Sequence, residues 1–224
     1  MPRQLVFDWP PQVSLGAEDF FVSLSNAQAY ALVSDPALWP QRRLVLTGPA
    51  GSGKTHLARV FQQATGATLM QATRLGKGLA PPPPGDVVIE DVDRLGPEGA
   101  EALFHLHNHL ANANAHLLLT AASPPARWPI TLPDLASRVQ AITTVAIADP
   151  DDALLAAVII KHLRDRQLAA PPALVGFLTR RIERSFAAAA DIVARLDQAG
   201  LAQGREINER LARELLDNDG TAAR

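Results

Sequence analysis

One eight-residue stretch limits what this chain can fold into more than any other feature. Gly48-Pro49-Ala50-Gly51-Ser52-Gly53-Lys54-Thr55 has the G-x-x-x-x-G-K-[ST] spacing of a phosphate-binding loop. The apolar run Leu44-Val45-Leu46 precedes it, and a helical pattern from Thr55 to Ala64 follows. That is the strand–loop–helix context such a loop needs. Glycines let the backbone curl until its N–H groups point at phosphate oxygens. The N-terminus of the following helix adds positive potential. Lys54 then reaches the β- and γ-phosphates, and the Thr55 hydroxyl is offered to Mg²⁺. The chain contains only three lysines, Lys54, Lys77 and Lys161, against 18 arginines. A mere glycine-rich turn does not explain why one of the three stands here. ADP or ATP with Mg²⁺ is therefore the expected ligand, held by Gly48 to Thr55 and the adjoining His56.

Composition narrows the function classes further. A chain of 224 residues allows one or two modest domains with a real core. Hydrophobic residues at 47% and charged residues at 20% argue against wholesale disorder. A net charge of −2 leaves no basic footprint for gripping nucleic acid non-specifically. Without cysteine, disulfide scaffolds, thiol catalysis and Cys-ligated zinc are excluded. No targeting signal is visible, and no run approaches the roughly 18 apolar residues of a membrane span. The expectation is a cytoplasmic protein that does not engage membranes.

The chain divides by pattern into a Pro-flanked tail (1–14), an α/β region (15–148) and an all-helical region (149–224). Strands are expected at Leu44 to Leu46, Ala67 to Met70, Val87 to Ile89, His116 to Thr120 and Ile142 to Ile147. Helical patterns lie between most of them. The expectation is a five-stranded parallel sheet with crossover helices on both faces. Pro81 to Pro84 favour an extended connector. After Asp149-Pro150, helices are expected at about 151–165, 172–183, 185–199 and 205–217, and no strand.

A phosphate loop needs a carboxylate to hold Mg²⁺ through water. Val87-Val88-Ile89-Glu90-Asp91 supplies two at a strand end, pointing to opposite sides. Glu90 takes the metal position, with Thr55, and is one methylene longer than the usual Asp. Asp91 is left for water activation, and Asp93 is expected to be solvated. Leu117-Leu118-Leu119-Thr120 ends in a hydroxyl that can report on the γ-phosphate, with Ser123 as second candidate. His105, His107 and His109 read as partly exposed helix surface. The pairs Arg42-Arg43 and Arg180-Arg181 read as solvated faces.

The order of these segments resembles the AAA+ ATPase core of the replication initiator DnaA, and most nearly its short relatives of the Hda family. The phosphate loop, the acidic strand, Thr120 before Pro124-Pro125, and Leu132-Pro133-Asp134-Leu135-Ala136-Ser137-Arg138 carry the likeness, followed by an all-helical segment. The resemblance implies a P-loop AAA+ core with a small all-helical lid. It implies that Arg138 is an arginine finger reaching a neighbouring subunit's ATP in trans. Glu18 to Val22 followed by Asn26 resembles the segment that passes near the adenine. Gln4-Leu5-Val6-Phe7 resembles the peptide with which Hda proteins dock on the DNA-polymerase sliding clamp; Gln4, Leu5 and Phe7 would make the contacts.

Three departures from the DnaA pattern stand out. The interval between the phosphate-loop helix and Glu90 is short, so the helices that engage single-stranded DNA in DnaA are truncated. The sequence runs to residue 224, so a C-terminal helix-turn-helix domain like that of DnaA is not expected. In Arg184-Ser185-Phe186-Ala187, Ala187 takes the place of the lid's sensor arginine, and Arg184 lies one turn earlier. The resemblance therefore implies an activator of the DnaA ATPase more than an efficient ATPase. Its expected partners are DnaA and the clamp, with DNA met only through the clamp, and a homodimer is plausible. The rivals are an autonomous AAA+ ATPase of helicase-loader type and a non-catalytic clamp adaptor.

Overall fold

The computed structural model describes residues 20–76, 83–169 and 171–222, with side chains up to Asp217. The expected clamp peptide (Gln4, Leu5, Phe7), Glu18, Asp19, Lys77 and the first half of the proline run lie outside these residues. The chain divides into two compact units, with the boundary between Leu154 and Leu155.

The first unit is built on five strands: β1 (Arg43–Thr47), β2 (Thr68–Gln71), β3 (Val87–Glu90), β4 (Leu117–Ala121) and β5 (Thr144–Ala146). All pair in parallel, in the order β2-β3-β4-β1-β5. The sheet therefore matches the expected one in strand number, direction and position. β1, β3 and β4 are buried along their whole lengths, which is why they read as apolar runs without alternation. α2 (Lys54–Thr65) follows the loop, and α3 (Pro97–Asn112) precedes β4. Two short helices had no sequence signal of their own, α1 (Ala27–Ser34) and α4 (Pro133–Gln140).

Alternate strand residues separate the two faces. Val45, Val87, Ile89, Leu117 and Leu119 share a core with Leu103, Leu106 and Leu110 of α3 and Leu135 and Val139 of α4. α2 packs against β3 and β4 and against α1, carrying fully buried Leu57 and Phe61. The strand C-termini converge on one edge. There β1 runs into the phosphate loop, and β3 and β4 end beside it in sheet order.

The opposite edge holds a charged network. Arg43, read from sequence as a solvated face, is 2% exposed. Its Nη1 donates to the carbonyls of Ala115 (2.6 Å) and Arg42 (3.0 Å), and its Nη2 to His107 O (3.4 Å). The residue is buried because its guanidinium satisfies backbone oxygens around the end of α3, where a cation is favoured.

In the second unit, α5 (Asp152–Asp165) brings in Leu155, Ile159 and Leu163. They meet α6 (Pro172–Arg181), α7 (Phe186–Gln203) and α8 (Glu209–Ala222) around Leu178, Ile192, Leu196 and Leu211. The four expected helices are present, and no strand is found among the described residues. Ser185 caps α7 by accepting from Ala188 N at 3.1 Å, and Gly204 ends it with φ 61°. Among the described residues no helix is long and apolar enough to cross a membrane.

Candidate nucleotide site

Residues 48–53 connect the end of β1 to the start of α2. Gly51 (φ 79°) and Gly53 (φ 97°) take the left-handed backbone conformations that side chains resist. Gly48 is required for space. A Cβ there would stand 2.8 Å from Ser52 Oγ and 3.1 Å from the carbonyl of Ile147. A Cβ on Gly53 would meet the Phe20 ring at 3.0 Å. The loop is thus a close-fitted curl, seated on β5's continuation on one side and on Phe20 on the other.

Lys54 Nζ donates to the carbonyls of Gly48 (2.7 Å) and Pro49 (2.9 Å), so the ammonium arches over its own loop. Burial pushes it below the usual lysine range. Asp91, Asp93 and Glu90 pull the other way, and Arg94 adds to the depression. Ser52 Oγ is buried and has no hydrogen-bond partner. Thr55 is exposed in the first turn of α2. The buried His56 ring packs at 5.1 Å from Phe20, which stacks on Tyr30 at 5.7 Å with the planes 10° apart.

Glu90 closes β3 at 3% exposure. Its Oε2 accepts from Gln71 Nε2 at 2.8 Å, while its Oε1 is buried without a partner. Gln71 was not singled out in the sequence. It ends β2 in register with Glu90, so the sheet pairing itself creates the contact. Asp91 leaves the strand in the left-handed region (φ 57°) and is half-exposed. The two acids are therefore divided between an inner and an outer position. Thr120 is 1% exposed, and its Oγ1 accepts from Asp91 N at 3.3 Å. Asp93 is not simply solvated: its Oδ2 accepts from Ala122 N at 3.0 Å. These two bonds pin the acidic turn to the end of β4.

Asn26 is 2% exposed and shapes the chain before α1. Its Oδ1 accepts from Ser23 N (2.8 Å) and its Nδ2 donates to Phe21 O (2.9 Å). Both polar groups are engaged by the turn, which presents Leu24 at 96% exposure. Arg138 is exposed on α4. Its Nη1 donates to Asn108 Oδ1 at 3.1 Å, and its guanidinium lies 5.3 Å from the centre of the Phe104 ring. In the second unit, Ala187 is exposed in the first turn of α7.

A bound nucleotide would fit these residues. The loop has a glycine-shaped curl, an unpartnered buried hydroxyl, a lysine and, in the sheet beside it, a buried carboxylate with one open oxygen. Lys54, Ser52 and the loop backbone would hold phosphates; Thr55 and Glu90 would hold Mg²⁺.

No protein-family model matches this chain. Solved structures do. Domain III of the Thermotoga maritima replication initiation protein DnaA superposes with a TM-score of 0.70 at 18% identity, covering 94% of this chain and 98% of that one. AMPPCP-bound DnaA from Aquifex aeolicus gives 0.63 at 17% identity, over 85% of this chain and 67% of that one. The Thermotoga maritima RuvB Holliday junction branch migration motor gives 0.64 at 14% identity, over 91% and 72%. The chain has the AAA+ fold these proteins share: a five-stranded parallel sheet bearing a phosphate loop, with helices.

Proposed function

We propose that this protein binds an adenine nucleotide with Mg²⁺ at the phosphate loop and acts as an Hda-like negative regulator of replication initiation. It stimulates ATP hydrolysis by DnaA in trans while docked on the sliding clamp. The observation that carries the nucleotide part is the pair of buried, unpartnered oxygens, Ser52 Oγ and Glu90 Oε1, set around a loop with the conformation phosphate requires. A buried polar atom without a partner is costly unless a ligand supplies one. AMPPCP in the Aquifex aeolicus DnaA structure supports the same reading.

The residues divide the work by position. Loop N–H groups and Lys54 neutralise phosphate charge, and Phe20 with Tyr30 offers an aromatic wall beside Gly53 for the base. Mg²⁺, when bound, offsets the phosphate charge and orients its oxygens. Arg138 takes the trans role: a guanidinium on an exposed helix spreads positive charge over the γ-phosphoryl of ATP held by DnaA as water displaces ADP. Gln4, Leu5 and Phe7 provide the clamp contact, so DNA is met through the clamp, in keeping with the net charge of −2.

Reconstituted DnaA ATPase turnover, with the clamp loaded on DNA, tests this. Turnover should rise on adding the wild-type protein and fail to rise with Arg138→Ala. Normal stimulation by Arg138→Ala refutes the finger. A second reading, an autonomous ATPase, is favoured by Glu90 and Asp91 standing together at the end of β3, on the same edge of the sheet as the loop. It predicts ATP turnover by the protein alone, lost in Lys54→Ala.

A further inference from the structure

Arg138 is exposed, and an exposed arginine ordinarily samples many rotamers and loses side-chain entropy when fixed. Here it is not left to sample. Phe104 and Asn108, one turn apart on α3, form a two-point cradle on a single helix face. The ring supplies a π face 5.3 Å from the guanidinium carbon, and the Asn108 amide oxygen accepts from Nη1 at 3.1 Å. Phe104 itself is fixed by packing against the core beneath α3. His107, on the same helix and half-buried, registers the arrangement. It is held below the usual histidine range by burial first, then by Arg43 and Arg138.

We propose that Phe104 and Asn108 are positioning residues that pre-orient Arg138 toward a partner's nucleotide. The proposal rests on the trans-finger reading given above. The cradle engages one terminal nitrogen and one face of the guanidinium. Nε and Nη2 have no hydrogen-bond partner among the described residues, so two parallel N–H donors remain for a phosphoryl oxygen. A guanidinium already fixed in this way loses less freedom when the γ-phosphoryl meets it. An exposed cation–π contact of this kind contributes enough to alter the aligned fraction about two- to fivefold.

Two measurements on the full chain separate the cradle from the finger. The first is the His107 pKa, followed by NMR, in wild type, Phe104→Leu, Arg138→Ala and the double variant. Phe104→Leu releases Arg138 and also exposes His107. The exposure effect is the same in both backgrounds, whereas the release effect exists only when Arg138 is present. The rise in His107 pKa on replacing Phe104 should therefore be larger with Arg138 than without it. Equal rises overturn the cradle. The second is stimulation of DnaA turnover. Phe104→Leu and Asn108→Ala should each lower it about two- to fivefold, and Phe104→Tyr, which keeps the π face, should restore it. A Phe104→Tyr variant as weak as Phe104→Leu overturns the positioning role. Wild-type protein that leaves DnaA turnover unchanged overturns the finger reading, and with it the cradle's purpose, whatever His107 does.

Discussion

Replacing Lys54 with Met should separate fold stability from nucleotide affinity. Holding Lys54 charged costs more in the folded protein than in the unfolded chain, because burial outweighs the attraction of Asp91, Asp93 and Glu90. A lysine whose folded pKa lies below its unfolded one costs stability while it is charged in both states. That cost is present at neutral pH and is relieved as pH rises through the folded pKa. Met removes that cost and keeps an apolar stem, but it leaves the buried Gly48 carbonyl without its donor, while the exposed Pro49 carbonyl is met by water. The two effects oppose each other, so the ligand-free melting temperature should stay near that of wild type. Nucleotide binding should weaken. A charge-assisted bond to phosphate is worth about 1.5–3 kcal/mol, or roughly 10- to 150-fold in Kd. With ADP at a hundredfold above the wild-type Kd, ligand stabilises wild type by about 2.7 kcal/mol. After a 30-fold loss the same ADP stabilises the variant by about 0.9 kcal/mol. The difference is roughly 4–7 °C of ligand-induced shift for a chain of this size. Thermal melts with and without ADP and Mg²⁺ measure both quantities. A variant that melts well below wild type yet keeps its ADP shift would refute the electrostatic argument and the phosphate assignment together.

Gln71→Leu should destabilise the protein by about 1–3 kcal/mol in urea unfolding, because it leaves the buried Glu90 carboxylate without its hydrogen bond. Adding Glu90→Leu should cost less than the sum of the two single changes; strict additivity would show that the bond contributes nothing. Asp151 precedes α5 and accepts from Leu154 N at 2.8 Å, a bond that holds its carboxyl below the usual aspartate range. Asp151→Ala should lower stability at pH 7 by about 1 kcal/mol. The contribution of a depressed carboxylate is fully present above its unfolded pKa and lost as pH falls through the folded one. The gap between wild type and variant should therefore close in acid, and a gap that stays constant down to the lowest measurable pH argues against the cap.

The strands were legible because their chemistry is uniform. Leu44 to Leu46, Val87 to Ile89 and Leu117 to Leu119 are buried on both faces, and only a sheet covered by helices makes such short apolar runs. α1 and α4 were not legible for a related reason. Each has eight residues, too few for the helical period to repeat more than twice, and neither has a side-chain cap bond. α1 is held by tertiary contacts, burying Ala29 and Val33 and accepting from Trp39 Nε1 at Leu32 O (2.6 Å). Arg43 misleads in the opposite direction. Two adjacent arginines suggest water, and only the position of the α3 terminus reveals that one of them satisfies carbonyls inside the fold.

At the candidate site, sequence names the groups proposed to meet ligand and is nearly silent on those that hold them. Glu90, Lys54 and Thr55 follow from a spacing. Gln71 follows only from register: a polar residue ending β2 carries no signal until it is paired with Glu90 across two parallel strands. The extra methylene of Glu90 over Asp then acquires a structural context, since the longer side chain reaches an amide on the neighbouring strand while leaving its other oxygen open. Asp93 and Thr120 behave alike, each fixing the acidic turn to β4 through a backbone N–H that no motif specifies. Arg138 with Phe104 and Asn108 is a third case, in which a spacing of four residues on α3 matters only because α4 packs beside it. Residues that act through another side chain are set by which elements become neighbours, so they are read from the fold; residues that act on the ligand are set by ligand chemistry, and the sequence preserves that.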